Sequence, residues 1–296
     1  MKLAFLGLGK MGGAVAARLL DSGYDLTVWN RTASASAPLA GKGATVAASP
    51  VEAVRQADIV FTMLNDDASV EALVFGEHGG SGILSALQPG SIHVSLSTIS
   101  VKLSRRLTAE HAQAGGEFVA APVFGRPNVA AEGKLWIVGG GGEAAVARVR
   151  PLLESVSRGL TIVSDEPWRA HALKIGGNFL ITAMIESLSE AMVFADAHGI
   201  DPRVFVETVN SALFRSPFYE AYGNVMLNPP EQPGATINLG AKDMALFRAA
   251  AREAGVQTPL ADEFAGDLSA AAEAGLQDRD WAAGLYQLAQ SANRMA

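Results

Sequence analysis

Directly after the apolar run Lys2–Leu6 stands Gly7-Leu8-Gly9-Lys10-Met11-Gly12, which opens a helical pattern carrying the small residues Ala14, Ala16 and Ala17. That order suits a phosphate cradle. Gly7 permits the tight turn, Gly9 lets a pyrophosphate approach the backbone, Gly12 admits close helix–strand contact, and the helix start offers unpaired N–H groups to phosphate oxygens. The glycine spacing alone is a weak signal; a strand before it and a helix after it make it a dinucleotide-binding fingerprint. At the end of the second strand, where an NAD-selecting site usually has a carboxylate for the ribose 2′-hydroxyl, the chain has Asn30-Arg31-Thr32. A carboxylate would repel a 2′-phosphate, whereas Arg31 can clamp it through charge-assisted bonds, with Asn30 and Thr32 adding donors. NADP(H) is therefore the preferred cofactor on this reading and NAD(H) the alternative; otherwise Arg31 is an ordinary solvated arginine. Met63 and Leu64, closing the strand at Ile59–Leu64, are assigned to the same cofactor surface.

Proton chemistry points to Lys174 and Asn178, four residues apart in a helical pattern and so aimed from one face toward one volume. An amine in a low-dielectric cleft can donate a proton to a carbonyl oxygen while hydride attacks the carbon. Most lysines are exposed, and spacing alone leaves a solvent-facing lysine open. The apolar surroundings Ala172, Leu173, Ile175, Gly176, Gly177 and Phe179 argue for the buried alternative. His171, three residues before Lys174, shares its face, either in the cleft or as an ordinary helix histidine. Glu186 and Glu190 are one turn apart and read as a solvated or intersubunit face in preference to a catalytic carboxylate pair. The five histidines, His78, His93, His111, His171 and His198, lack metal-ligand spacing, and the chain has no cysteine, so no metal is assigned.

These residues must be positioned by two lobes. The 296 residues exceed one average domain, and 49% hydrophobic against 18% charged residues is ample for folding. Strands at Lys2–Leu6, Asp25–Trp29, Ile59–Leu64, Ser91–Ser95, Glu117–Ala120, Leu135–Val138 and Leu160–Val163 alternate with helical patterns, the signature of a parallel sheet. After Pro167 the pattern is helical only: Trp168–His198, Pro202–Leu213, Leu239–Ala254, Pro259–Ala274 and Trp281–Asn293, with a loop at Asn228–Gly234. The expected class is α/β, with a dinucleotide-binding domain over 1–165, a long inter-domain helix, and an all-helical domain over 166–296. A net charge of −7 disfavours nucleic acid and anionic lipid as partners and favours a small solute. The absence of cysteine suits a cytoplasmic location, the apolar start is too short for a signal peptide, and no uninterrupted apolar run reaches the length of a membrane span.

Taken together, the glycine motif at 7–12, Asn30-Arg31-Thr32, Ser97-Thr98-Ile99-Ser100, Ala121-Pro122-Val123, Lys174 with Asn178, and Lys242-Asp243 resemble the β-hydroxyacid dehydrogenase family across nearly the whole chain. That family includes 3-hydroxyisobutyrate dehydrogenases and the glyoxylate and succinic semialdehyde reductases, with imine reductases as relatives. The resemblance implies an N-terminal Rossmann lobe and a helical lobe commonly paired with another subunit, hence a homodimer or higher homo-oligomer. It implies hydride transfer between a nicotinamide and a small aldehyde, keto acid or β-hydroxy acid. Lys174 becomes the catalytic acid/base, Asn178 its orienting partner, Thr98 a neighbour of the nicotinamide, and Lys242 and Asp243 the cofactor and substrate contacts of the second lobe. Ser97, Val123, Phe124, Gly125 and Arg126 fall in the substrate region. Members typically carry Asp-Ala-Pro-Val-Ser-Gly-Gly where this chain has Ala120-Ala121-Pro122-Val123-Phe124-Gly125-Arg126. The carboxylate-binding serine is lost; Phe124 suits a more apolar substrate, and Arg126 can supply another anion anchor. Imine reduction and a non-catalytic NADPH-binding regulator are the alternatives, both disfavoured by retention of Lys174 and its neighbours.

Overall fold

The computed structural model describes residues 1–77 and 80–295, with side chains described to 293; His78 lies outside the described residues. The chain divides into two compact units, Met1–Lys174 and Ile175–Ala296.

The first unit is built on a nine-stranded sheet of β1 (Leu3–Leu6), β2 (Leu26–Trp29), β3 (Thr45–Val46), β4 (Ile59–Thr62), β5 (Ile92–Ser95), β6 (Glu117–Ala120), β7 (Val123–Phe124), β8 (Leu135–Gly140) and β9 (Ser157–Ser164). Its order is β3-β2-β1-β4-β5-β6-β8-β7, with β9 also on β8. Strands β1 to β6 pair in parallel, in register Leu3 with Leu26 and Ile59, and Ile59 with Ile92. Successive residues of β1 enter separate cores: Leu3 and Phe5 join one cluster, Ala4 and Leu6 another. This is the period-two alternation of a strand covered on both faces, and it explains why such strands read as continuous apolar runs. The sheet departs from the expected all-parallel pattern at β8, which runs antiparallel to β6 and β7. Only Ala121-Pro122 separates β6 from β7, and the stretch from β7 to β8 is shorter than the dozen or more residues of a parallel crossover. The two-residue strands β3 and β7 are too short to show an alternating pattern and were not expected.

Helices of eight residues or more are α1 (Lys10–Asp21), α2 (Asp67–Phe75), α3 (Val101–Gln113), α4 (Glu143–Ser155), α5 (Pro167–Ala197), α6 (Pro202–Val209), α7 (Pro217–Leu227), α8 (Ile237–Glu253), α9 (Pro259–Ala271) and α10 (Trp281–Met295). The unit boundary falls inside α5. By length, and by a mean hydropathy of 1.3 over its most apolar 18 residues, α5 is one described helix that could cross a bilayer. Its apolar stretch is broken by Lys174, Asn178 and Glu186, so it is not an uninterrupted apolar run. Its residues Ile185, Leu188 and Met192 belong to the core of the second unit.

That second unit is helical throughout its named elements. Helix α7 was not among the expected helices; Pro217 is well placed in its first turn, and Ser216 caps it by accepting from Phe218 N. The pattern at Pro202–Leu213 ends as α-helix at Val209 and continues as a π turn to Phe214, stopped by Arg215 in the left-handed region at φ 39°. Glu186, read from sequence as part of a solvated or intersubunit face, is instead 8% exposed, whereas Glu190 is exposed. Burial pushes the Glu186 carboxyl up to about 8, with Asp267 and then Glu190 adding to the shift.

Candidate active site

The glycine turn expected to cradle phosphate forms where β1 meets α1. Gly7 has φ +95°, and a Cβ there would lie 2.3 Å from the Met63 carbonyl oxygen; a Cβ on Gly12 would lie 2.0 Å from the Gly7 oxygen. Both positions are closed to a side chain by the protein itself. Gly9 differs: it is the N-cap of α1 at φ −65° and ψ −175°, and a Cβ there would meet nothing within 4 Å. Open space above the start of a helix whose first-turn N–H groups lack intrahelical partners is the place for an anionic ligand. Asn30 braces this loop, its Oδ1 accepting from Leu8 N at 2.9 Å and its Nδ2 donating to the Thr32 carbonyl at 3.0 Å. Arg31 and Thr32 are exposed just past β2, Lys10 is exposed and Met11 half-buried.

The ends of β4 and β5 continue the floor. Met63 N donates to the Leu6 carbonyl at 3.0 Å, and Leu64 N donates to Ser97 Oγ at 2.9 Å. Met63, Leu64 and Thr98 are half-buried and Ser97 is buried. Below this floor, Thr62 Oγ1 lies 2.8 Å from His93 Nε2, His93 Nδ1 lies 2.9 Å from His111 Nε2, and His111 Nδ1 lies 2.7 Å from the Leu107 carbonyl. Burial holds His93 well below the usual imidazole range, with His111 adding to the effect. It lowers His111 to about 4, against the pull of the Leu107 carbonyl. No sequence signal marked this chain of contacts, because its members come from separate strands and a helix.

Lys174, on α5, is 7% exposed, which removes the reading of it as a solvent-facing lysine. Its Nζ lies 4.0 Å from the centroid of the Phe124 ring. Phe124 closes β7, after buried Val123, and is followed by Gly125 at φ +142°, where a Cβ would lie 2.6 Å from Leu135 Cδ2. Arg126 is half-buried at the start of the short helix Pro127–Ala131. Phe124 and the lysine therefore meet within the first unit, a contact between positions fifty residues apart that spacing does not reveal. Trp168, at the start of α5, donates from Nε1 to Glu166 Oε2 at 3.1 Å, and the Arg105 guanidinium stacks over its ring at 3.7 Å. Trp168 thereby joins the helix start to Glu166 and to α3.

In the second unit, Asn178 Nδ2 donates to Asp243 Oδ2 at 2.5 Å, and Lys242 Nζ lies 2.8 Å from Asp243 Oδ1. Asn178 and Asp243 are each 5% exposed. Adjacent residues diverge around a helix, yet Lys242 turns back onto the buried Asp243 carboxylate, because a lysine stem is long enough to fold along the helix surface.

A doubly wound sheet with a glycine cradle at the carboxyl end of its first strand, and a buried amine beside the loop after β6, defines a dinucleotide-dependent oxidoreductase. Residues 2–164 match the family described as the NAD binding domain of 6-phosphogluconate dehydrogenase, and residues 169–288 match that described as NAD-binding of NADP-dependent 3-hydroxyisobutyrate dehydrogenase. The chain is 43% identical to the uncharacterized oxidoreductase YfjR of Bacillus subtilis over 96% of its length and 98% of that protein. It is 32% identical to 2-hydroxy-3-oxopropionate reductase of Escherichia coli over 88% of its length and 87% of that enzyme. Its fold superposes on 3-hydroxyisobutyrate dehydrogenase of Salmonella typhimurium with TM-score 0.87 at 26% identity, covering 97% of this chain and 99% of the other. The chain belongs to the β-hydroxyacid dehydrogenase family and is an NAD(P)-dependent oxidoreductase acting on CH–OH or C=O groups.

Proposed function

We propose that the protein is an NADPH-dependent enzyme interconverting a small aldehyde or keto acid and the corresponding hydroxy compound, with Lys174 as the group that gives and takes the proton. The nicotinamide supplies and accepts the hydride. The observation that carries the reading is the burial of the Lys174 amine against the face of Phe124, where the ring quadrupole attracts an ammonium. In the reducing direction Lys174 donates from Nζ to the substrate oxygen as charge develops there; in the oxidising direction it takes the hydroxyl proton. Asn178, one turn further along α5, is the orienting group, and its bond to Asp243 holds the amide in place.

Preference for NADPH is supported by Arg31, exposed at the end of β2 in a segment without a carboxylate, the position from which a guanidinium can pair with a 2′-phosphate. Substrate choice is supported by Phe124, an apolar wall next to the amine in place of the serine typical of the family, so a substrate with an apolar substituent is favoured over a small hydrophilic acid. Assembly as a homodimer through the helical unit is supported by exposed Leu213, Phe214 and Phe218. Screening short aldehydes, keto acids and hydroxy acids with both nicotinamides tests the substrate class. Lys174→Ala then lowers turnover roughly 100- to 10,000-fold while NADPH affinity stays within about threefold, the scale of lost general acid–base assistance. Turnover near wild type in that variant removes Lys174 from the mechanism.

A further inference from the structure

Among the buried polar side chains of the first unit that the mechanism does not use, His171 stands three residues before Lys174 on the same side of α5. His171 is fully buried, and its Nδ1 lies 2.9 Å from Ser104 Oγ on α3. Burial lowers it to about 3, and the Ser97 main chain beside it pulls the other way. The imidazole is neutral at working pH, so it places no like charge near the Lys174 ammonium. Ser97 is the same residue whose Oγ accepts from Leu64 N, while Ser100, at the other end of that loop, caps α3 by accepting from Leu103 N at 3.0 Å. Its own N–H donates to Asp67 Oδ1 at 2.9 Å. The ends of β4 and β5 are thus pinned to one another and to α3. Helix α5 reaches this framework through His171.

We propose that His171 is a positioning residue: by binding Ser104 on α3 and packing against Ser97, it fixes the rotation and height of the helix that carries Lys174 relative to the Ser97-Thr98 loop. A histidine suits this task because its rigid ring holds Nδ1 at a fixed reach from the helix, and a serine hydroxyl opposite it can donate or accept as the tautomer requires. The consequence is catalytic because a near-attack geometry tolerates little displacement; a misplacement of about 1 Å costs on the order of 100-fold in rate. The inference rests on Lys174 being the proton-handling group.

Three variants test it: His171→Leu, which removes the contact with Ser104, His171→Asn, whose shorter amide can still reach a hydroxyl, and Ser104→Ala, which removes the partner. For His171→Leu we expect kcat to fall roughly 10- to 100-fold, as that displacement implies. The KM for the carbonyl substrate and the NADPH dissociation constant should stay within about threefold, because neither ligand is bound by the histidine. His171→Asn should recover most of the loss, and Ser104→Ala combined with His171→Leu should cost no more than His171→Leu alone, as two groups acting through one bond must. The primary isotope effect with 4-deuterated NADPH should rise toward its intrinsic value in His171→Leu as the hydride step becomes limiting. Wild-type kcat in soluble His171→Leu, or wild-type kcat in Ser104→Ala if His171→Leu does not fold, overturns the proposal. Failure of the underlying reading shows itself separately, as near-wild-type turnover in Lys174→Ala.

Discussion

Gly9 offers a direct separation of fold from ligand, because the three glycines of the cradle are glycine for different reasons. A Cβ at Gly12 would sit 2.0 Å from a main-chain oxygen and must displace backbone, whereas a Cβ at Gly9 meets nothing within 4 Å. Backbone angles at Gly9, φ −65° and ψ −175°, are open to any residue. Gly9→Ala loses a better N-cap but restricts the unfolded chain, and these effects offset, so unfolding free energy should change by less than about 1 kcal/mol. The space that the methyl takes is where a pyrophosphate oxygen would approach the α1 N–H groups. Losing one hydrogen bond to a charged oxygen costs about 1.5–3 kcal/mol, which is roughly a 10- to 150-fold rise in the NADPH dissociation constant. Gly12→Ala should do the reverse, losing about 1–3 kcal/mol of stability from overpacking before any ligand is added. Urea unfolding without cofactor and NADPH fluorescence titration of both variants measure the two quantities independently. If Gly9→Ala binds NADPH within twofold of wild type, the pyrophosphate does not lie over this helix start and the cradle argument fails.

Two further outcomes follow from the same unit. Arg31→Asp should reverse the cofactor preference, weakening NADPH through lost pairing and new repulsion by about 2 kcal/mol or more while NADH improves; an unchanged ratio of kcat/KM for the two cofactors would show that Arg31 does not meet the 2′-phosphate. Acid should destabilise the first unit through its buried imidazoles. His111 is lowered to about 4 in the fold against an ordinary value of about 6.5, so its stabilising contribution is complete above the ordinary value and is lost as pH falls toward the folded one. Between pH 7 and pH 5 that single group withdraws about 2 kcal/mol. His111→Gln, which does not titrate there, should narrow the difference between urea unfolding free energies at pH 7 and pH 5 by that amount; an unchanged difference would mean that His111 is protonated in the fold.

Much of this molecule was legible from residue order because its first requirements are local. Gly7, Gly9 and Gly12 announce a turn, an approach and a packing contact within six residues, and strands β1 and β4 read as largely apolar runs because both their faces are covered. Helix α5 shows itself through spacing alone, and Lys174 with Asn178 follows from one helical turn. Resemblance to the family supplied roles for those residues that spacing could not. Only the tertiary structure decided burial and partnership: that Lys174 lies against Phe124, that Asp243 is an enclosed carboxylate between Asn178 and Lys242, that Glu186 is inside, and that His171 reaches Ser104. Each of those facts joins residues far apart in the chain or depends on which side of a helix faces the core. Local periodicity carries the direction of a side chain along its own element; the identity of the atom it meets is set by the packing of one element against another, and no short stretch of sequence contains that information.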